Sequence, residues 1–313
     1  NFLITIGDRN VGGLTFRDQM IGPLQIPVSD NAITLSNYGE KTGEAMAMGE
    51  KSPVALINPQ AAGRLAITEA VLNLISSGVT NLSSIKLSAN WMASPNNLEA
   101  NSNLFETVKT ISQDICKTWN LTIPVGKDSL SMETQWKDCK NTSPESLIIS
   151  AFAPIKEVNK SITPMMSDEE GLVLARINFG STEMRLGGSI LSQVIDKDFE
   201  ECPDIEDIKI FPEVYNLICE FIKNEKIIAL HDISDGGLIA SVIEMMFASN
   251  LGVDINFDLN ENELKKILFS EEPGLVMQLT NKDYINLKDQ LNTLNFEKIY
   301  SLGKTNKQDQ LVI

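Results

Sequence analysis

Apolar positions recur along this chain with two periods, close to two and close to four, and segments of each kind follow one another. Runs of β-branched and apolar residues predict strands at Phe2 to Ile6, Ser84 to Leu87 and Leu147 to Phe152. Asn58 and Pro59 form an N-cap and a first helical position. The helix they open runs through QAAGRLAITEAVLNLISS and stops at Gly78, a C-terminal glycine. A second helix carries Leu104, Val108, Ile111 and Ile115 on one stripe, which predicts core packing. The polar stretch Glu157 to Lys160, followed by Ser-Ile-Thr-Pro ending at Pro164, reads as a hinge. Beyond it come a strand at Gly171 to Ile177 and an amphipathic helix at Pro212 to Lys223. A buried strand, Ile227 to Leu230, then delivers His231 and Asp232 to a turn at Ser234-Asp235-Gly236-Gly237, where the helix LIASVIEMMFAS begins. The alternation implies two α/β domains, residues 1–160 and 161–313.

Composition narrows the class. With 313 residues the chain can bury two ordinary cores, and 42% hydrophobic with 22% charged residues is a globular composition. No apolar run approaches the roughly 20 residues needed to span a bilayer. The opening NFLITIGDRN has neither a basic start nor a small-residue cleavage site, and it lacks an initiating Met, so the chain is expected to begin inside a longer protein. A net charge of -16 disfavours nucleic-acid and anionic-membrane partners, because phosphate backbones attract Lys and Arg. A small phosphorylated substrate stays compatible with it. Cys116, Cys139, Cys202 and Cys219 show no C-x-x-C spacing, so free thiols in a reducing cytoplasm are expected rather than a zinc site.

Glu69 and Asn73 lie four residues apart and therefore on one helical face. A carboxylate and an amide oxygen one turn apart suit Mg²⁺, which takes oxygen ligands. A solvated Glu beside a helix-end Asn explains the same spacing. Asp30 precedes an alternating strand, where Asp often closes a turn on its own backbone. Asp232 follows an apolar strand and precedes two glycines, a place where α/β folds gather ligands. The N–H groups of Gly236 and Gly237 could meet a phosphate there with no Cβ in the way, and Asp235 could cap the helix. Gly126-Lys127-Asp128-Ser129 pairs a lysine with a glycine but lacks P-loop spacing, and a tight turn with a solvated Lys127 is the simpler reading. An ordinary surface ion pair accounts for Arg17 and Asp18, and burial of Trp91 for SANWM.

Taken in order, these strings carry a resemblance that none carries alone. GDRNVGGLTFRDQMIGPLQIPVSDNAITL, GEAMAMGEKSPVALINPQAAGRLAITEAVLN, IKLSANWM, IPVGKDSLSM and ALHDISDGGL stand as in large phosphoribosylformylglycinamidine synthases. The likeness runs from Asn1 to about Ala153 and resumes at LGGSILSQV, ALHDISDGGLIASVIEMMFA and LFSEEPGLVMQL. It implies an aminoimidazole-ribonucleotide-synthetase-like N-terminal domain, half of a central β-barrel, followed by an α/β C-terminal domain. Large synthases carry two such pairs and a glutaminase. This chain resembles the second pair, so the first pair and the glutaminase are implied partners, and the isolated half is expected to self-associate. The resemblance implies conversion of formylglycinamide ribonucleotide, glutamine and ATP to the amidine, with ATP activating the amide oxygen and ammonia displacing phosphate. Position by position it implies that Asp30, Glu69, Asn73 and Asp232 hold Mg²⁺ on the phosphates of ATP or ADP. Ser29 and Ser234 would contact the nucleotide, with Lys127 and Arg17 as further phosphate contacts. No catalytic base is evident beside the cluster, and a second reading makes this half mainly a structural nucleotide-binding module. A selenophosphate or aminoimidazole ribonucleotide synthetase would not be expected to match all the strings.

Overall fold

The computed structural model describes residues 13–94, 96, 98–257 and 259–313; the strand expected at Phe2 to Ile6 lies outside them. Each half of the chain builds one six-stranded sheet. The first comprises β1 (Thr15–Arg17), β2 (Ala32–Leu35), β3 (Gly43–Gly49), β4 (Lys86–Met92), β5 (Thr122–Ser129) and β6 (Ser146–Ile155), in the order β1-β2-β3-β6-β4-β5. The second comprises β7 (Leu172–Asn178), β8 (Ile227–Ile233), β9 (Gly252–Ile255), β10 (Gly274–Thr280), β11 (Ile299–Asn306) and β12 (Leu311–Val312), in the order β8-β10-β7-β11-β9-β12. Pairing is antiparallel except for β4 with β5 and β9 with β12. The fold is therefore mixed α/β with largely antiparallel sheets.

The central strand β6 alternates, placing Leu147, Ile149, Ala151 and Ala153 in the core while Ile148, Ser150 and Phe152 stay half-buried on the other face. Against the inner face lies α1 (Pro59–Ile75), capped by Asn58, whose side chain accepts the Ala61 N–H. This helix is buried on nearly every side because it also packs on β8 and on α3 (Phe211–Lys223) of the second half. The α2 helix (Leu98–Lys109) continues into a π-helical segment, Thr110–Ile115. That segment resets the expected stripe: Thr107, Ile111 and Ile115 are buried, whereas Val108 is exposed.

One apolar cluster runs through both halves. Trp119 of the first half stacks on Phe211 of the second at 4.1 Å, and its indole N–H donates to the Ile208 carbonyl at 2.7 Å. The region expected to be a hinge is also tied down. Val158 N–H donates to the Lys41 carbonyl, and Ile162 N–H donates to the Ser76 carbonyl, both at 2.8 Å. Over the other face of the second sheet lie α4 (Gly237–Ser249) and α5 (Glu261–Phe269), the latter opened by an Asn260–Glu263 capping box. No helix among the described residues is long and apolar enough to cross a membrane.

Candidate functional site

Segments from both halves meet where the C-terminal end of β8 reaches the loop before β2. Strand β8 continues to Ile233, so His231 and Asp232, expected just beyond the strand Ile227 to Leu230, lie within an edge strand, and the expected turn follows at Asp235 and Gly236. Its neighbour is antiparallel, so the ligand rule for parallel sheets does not explain the placement. Contacts across the halves do.

His231 Nδ1 lies 2.5 Å from Asp30 Oδ1 and its Nε2 lies 2.9 Å from Glu244 Oε2. Asp232 Oδ1 is 3.6 Å from Nδ1. One potential ligand atom from each of Asp30, His231 and Asp232 falls within 4.8 Å of the others. Burial would lower the imidazole pKa, but the neighbouring carboxylates of Asp30, Glu244 and Asp232 outweigh it and hold the ring protonated well above its ordinary range.

The loop that carries Asp30 is fastened to α1. Asn31 Nδ2 donates to the Asn73 carbonyl at 2.8 Å and to Ser76 Oγ at 2.7 Å. Asn73 Nδ2 donates to the Met48 carbonyl at 3.0 Å, while Asn73 Oδ1 is buried with no hydrogen-bond partner among the described residues. One turn earlier, Glu69 Oε2 accepts the Glu50 N–H at 2.9 Å. Burial, with Asp232 adding repulsion, pushes the Glu69 carboxyl up to about 8 against the pull of Lys51. Asp232 is likewise pushed up to about 6 by burial and by Asp30.

Lys51 was not among the expected site residues. It is buried, donates to Asp235, and reaches Glu271 Oε2 at 3.4 Å. These partners overcome burial and keep its ammonium charged, its pKa raised. Glu271 in turn accepts the N–H groups of Gly236 at 2.9 Å and Ile190 at 2.8 Å through Oε1. Two expectations fail here. The N–H groups of Gly236 and Gly237 are not free for phosphate, because Glu271 takes one and the Ser234 carbonyl takes the other at 3.0 Å. Nor does Asp235 cap the helix; the N-cap is Gly236, without a side-chain cap, because Asp235 turns to Lys51. Both glycines are nevertheless required by conformation, with φ of +85° and +73°, and a Cβ on Gly237 would come within 2.7 Å of the Ser270 carbonyl oxygen.

Of the remaining expected residues, Ser234 stands beside the Asp232 carboxylate and Ser29 Oγ donates to the Asn31 carbonyl at 2.7 Å, so both border the cluster. Lys127 does not join it. GKDS is the end of strand β5, not a tight turn, and Lys127 is exposed on that sheet edge, bonded to Ser129. Arg17 Nη2 donates to Ser161 Oγ at 3.2 Å and anchors the segment between the halves. The signals for the missed residues are the Lys of GEKSP and the paired acids of SEEPG, buried charges at the ends of elements.

Residues 1–154 match the FGAR-AT PurM_N-like domain, and residues 172–313 match the AIR synthase related protein, C-terminal domain. Both domains have the PurM-like fold. Among solved structures, Thermotoga maritima PurL complexed with FGAR superposes with a TM-score of 0.69 at 11% identity, over 93% of this chain and 46% of that one. The HypE–HypF complex gives 0.60 at 15% identity over 90% and 88%, and AaThiL complexed with AMPPCP and TMP gives 0.54 at 16% over 90% and 86%. The chain thus spans less than half the length of the PurL chain. At these identities the likeness establishes the shared PurM-like fold.

Proposed function

We propose that this chain is the second synthetase half of a phosphoribosylformylglycinamidine synthase and that the cluster described above is its Mg²⁺–nucleotide site. The observation that carries the reading is the approach of Asp30 to Asp232, from different halves of the chain, beside a Glu69 carboxyl raised by burial and, to a lesser degree, by Asp232. Carboxylates brought together while buried repel one another, which a divalent cation relieves. The unpartnered Oδ1 of Asn73 adds a neutral oxygen donor at the same helix end. Oxygen-only donors of this kind fit Mg²⁺ better than a soft metal. The ordered strings and the match of residues 1–154 to an FGAR-AT domain favour the synthase over other PurM-like enzymes, while PurL structures holding FGAR, ATP or ADP agree with it in fold. On this reading the domains divide near residue 160, and the ligase reaction requires the first synthetase half and a glutaminase.

Asp30, Glu69, Asn73 and Asp232 would hold the cation, whose chemistry is to neutralise nucleotide phosphates for transfer. The chain's own residues prepare the place. His231 keeps a proton on each ring nitrogen, between Asp30 and Glu244, and offsets the carboxylate charge. Lys51 and Glu271 fix the Gly236 turn, while Asn31 fixes the Asp30 loop to α1. Ser29 and Ser234 stand at the border, available to a nucleotide. Calorimetry with ADP and ATP, on the chain alone and after reconstitution with the first half, tests the assignment. Saturable binding that requires Mg²⁺ is expected; a reconstituted, active assembly whose nucleotide binding ignores this cluster's substitution would overturn it. The chain alone is expected to form no amidine from glutamine.

A further inference from the structure

Two strands across the second sheet from His231, in the same cross-strand row through Val276, β7 turns an arginine into the core. Arg176 is 2% exposed, flanked in its strand by the core residues Ala175 and Ile177. Burial depresses its guanidinium to about 10, with Glu272 and Tyr300 as the opposing influences. Glu272 supplies charge but no hydrogen bond to it. Both Glu272 oxygens are already taken by Arg185, through Nε at 2.6 Å and Nη2 at 3.0 Å, and by the N–H groups of Arg185 and Asp204. Arg176 Nε and Nη2 are therefore buried with no hydrogen-bond partner among the described residues. Native proteins seldom leave such donors unsatisfied, because their desolvation is uncompensated.

Arg176 is among the residues lining a cavity of about 310 Å³. Phe257, Ile267 and Leu302 give it apolar walls, and Thr182 and Tyr300 stand at its polar margin. Nε and Nη2 form the side-on fork of an arginine, two parallel N–H groups whose spacing matches the two oxygens of a carboxylate. We propose that this cavity binds a small organic carboxylate with an apolar body, its carboxylate taken by Nε and Nη2 of Arg176. Nε and Nη2 are themselves shielded from the cavity, so binding requires the guanidinium to turn toward it. The apolar walls favour a monoanion with a hydrocarbon or aromatic body over inorganic phosphate, whose oxygens would lose water without replacement donors. The site is separate from the nucleotide cluster: no residue is shared, and its occupancy is independent of that assignment.

Benzoate, its neutral isostere benzamide and inorganic phosphate, each titrated into the 313-residue chain and followed by calorimetry and ¹H–¹⁵N NMR, separate the possibilities. Benzoate is expected to bind once per chain and to shift Phe257, Leu302 and the Arg176 Nε–H resonance, with benzamide and phosphate each at least about tenfold weaker. Arg176→Met, an apolar replacement for a buried charge, should abolish benzoate binding without lowering the melting temperature. Thr182→Trp, at an exposed position on the margin, should block the cavity and keeps the test intact if the arginine variant fails to fold. Absence of saturable benzoate binding, equal binding by either folded variant, or tighter binding of phosphate than of benzoate would each overturn the proposal.

Discussion

His231 and Asp30 stand 201 residues apart in the chain, yet their side chains meet at 2.5 Å across the two halves of the molecule. The contact is one of several by which the charged interior holds the halves together. Arg64 Nε donates to Asp204 Oδ1 at 2.8 Å, and Lys51 bridges to Asp235 and Glu271. The interior thus carries acids and bases whose proton affinities differ from their unfolded values, and folding must respond to pH.

The sign follows from three groups. His231 keeps its proton above the unfolded value of 6.5, so its contribution is full below that value and is lost as pH rises through the folded one. Glu69, raised from 4.5 to about 8, and Asp232, raised from 3.8 to about 6, also bind protons more tightly when folded. All three make the metal-free chain less stable as pH rises. Its melting temperature is expected to fall between pH ~6 and ~8.5, while the rise on adding Mg²⁺ and ADP grows over the same interval, because ligands must be deprotonated. Scanning fluorimetry across that range decides it. A metal-free melting temperature that climbs with pH would refute the charge assignment.

Lys51→Met should unfold the chain more readily by about 3 kcal/mol, since it leaves Glu271 buried and unpaired. Combining it with Glu271→Gln should recover part of the loss, as the neutral amide can still accept from Gly236 and Ile190. Urea denaturation of both single variants and the double variant measures the coupling. Strict additivity would mean that the two side chains do not share this interaction.

The legible parts of the molecule were those governed by local chemistry. Asn58-Pro59 announced α1, and the glycine pair announced the turn into α4. The Glu69–Asn73 spacing marked one helix face, but only tertiary contacts show that Asn31 ties that helix end to the Asp30 loop. The partners of Lys51 were invisible because Glu271 lies 220 residues away and a buried lysine has no local signature. The N–H of Gly236 is hidden for the same reason, being taken by Glu271 from another segment, whereas the N–H of Gly237 closes a local turn on the Ser234 carbonyl. The π-helical segment after α2 shifted the buried face because helical periodicity assumes an unbroken register. Arg176 looks like any strand charge until its burial is seen.

The first sheet leaves its outer face without a covering layer among the described residues. Met48 is 59% exposed there, with Met46, Ile148 and Phe152 half-buried on the same side. Edge strands and apolar sheet faces of this kind promote association. The chain is therefore expected to self-associate at micromolar concentration, and Met48→Asp is expected to shift it toward monomer without changing its melting behaviour greatly. Sedimentation velocity reads both. A parent chain that stays monomeric over that range would contradict the expectation.

The site assignment itself is tested by removing one charge at a time. Asp232→Asn and Glu69→Gln each keep shape and hydrogen-bonding capacity while deleting a carboxylate from a crowded, buried cluster. If Asp30, Glu69, Asn73 and Asp232 share one Mg²⁺–nucleotide site, each variant should weaken Mg²⁺-dependent nucleotide binding by at least about tenfold. Each should also melt at the same temperature as the parent or higher when metal-free, because less like charge is confined. Those two directions distinguish a binding cluster from an ordinary structural network, in which loss of a partner lowers stability and leaves ligand affinity alone. Calorimetry with and without Mg²⁺, paired with metal-free melting, gives both readings on the same sample. Unchanged affinity in both variants, in an assembly whose parent binds nucleotide, would remove Glu69 and Asp232 from the site.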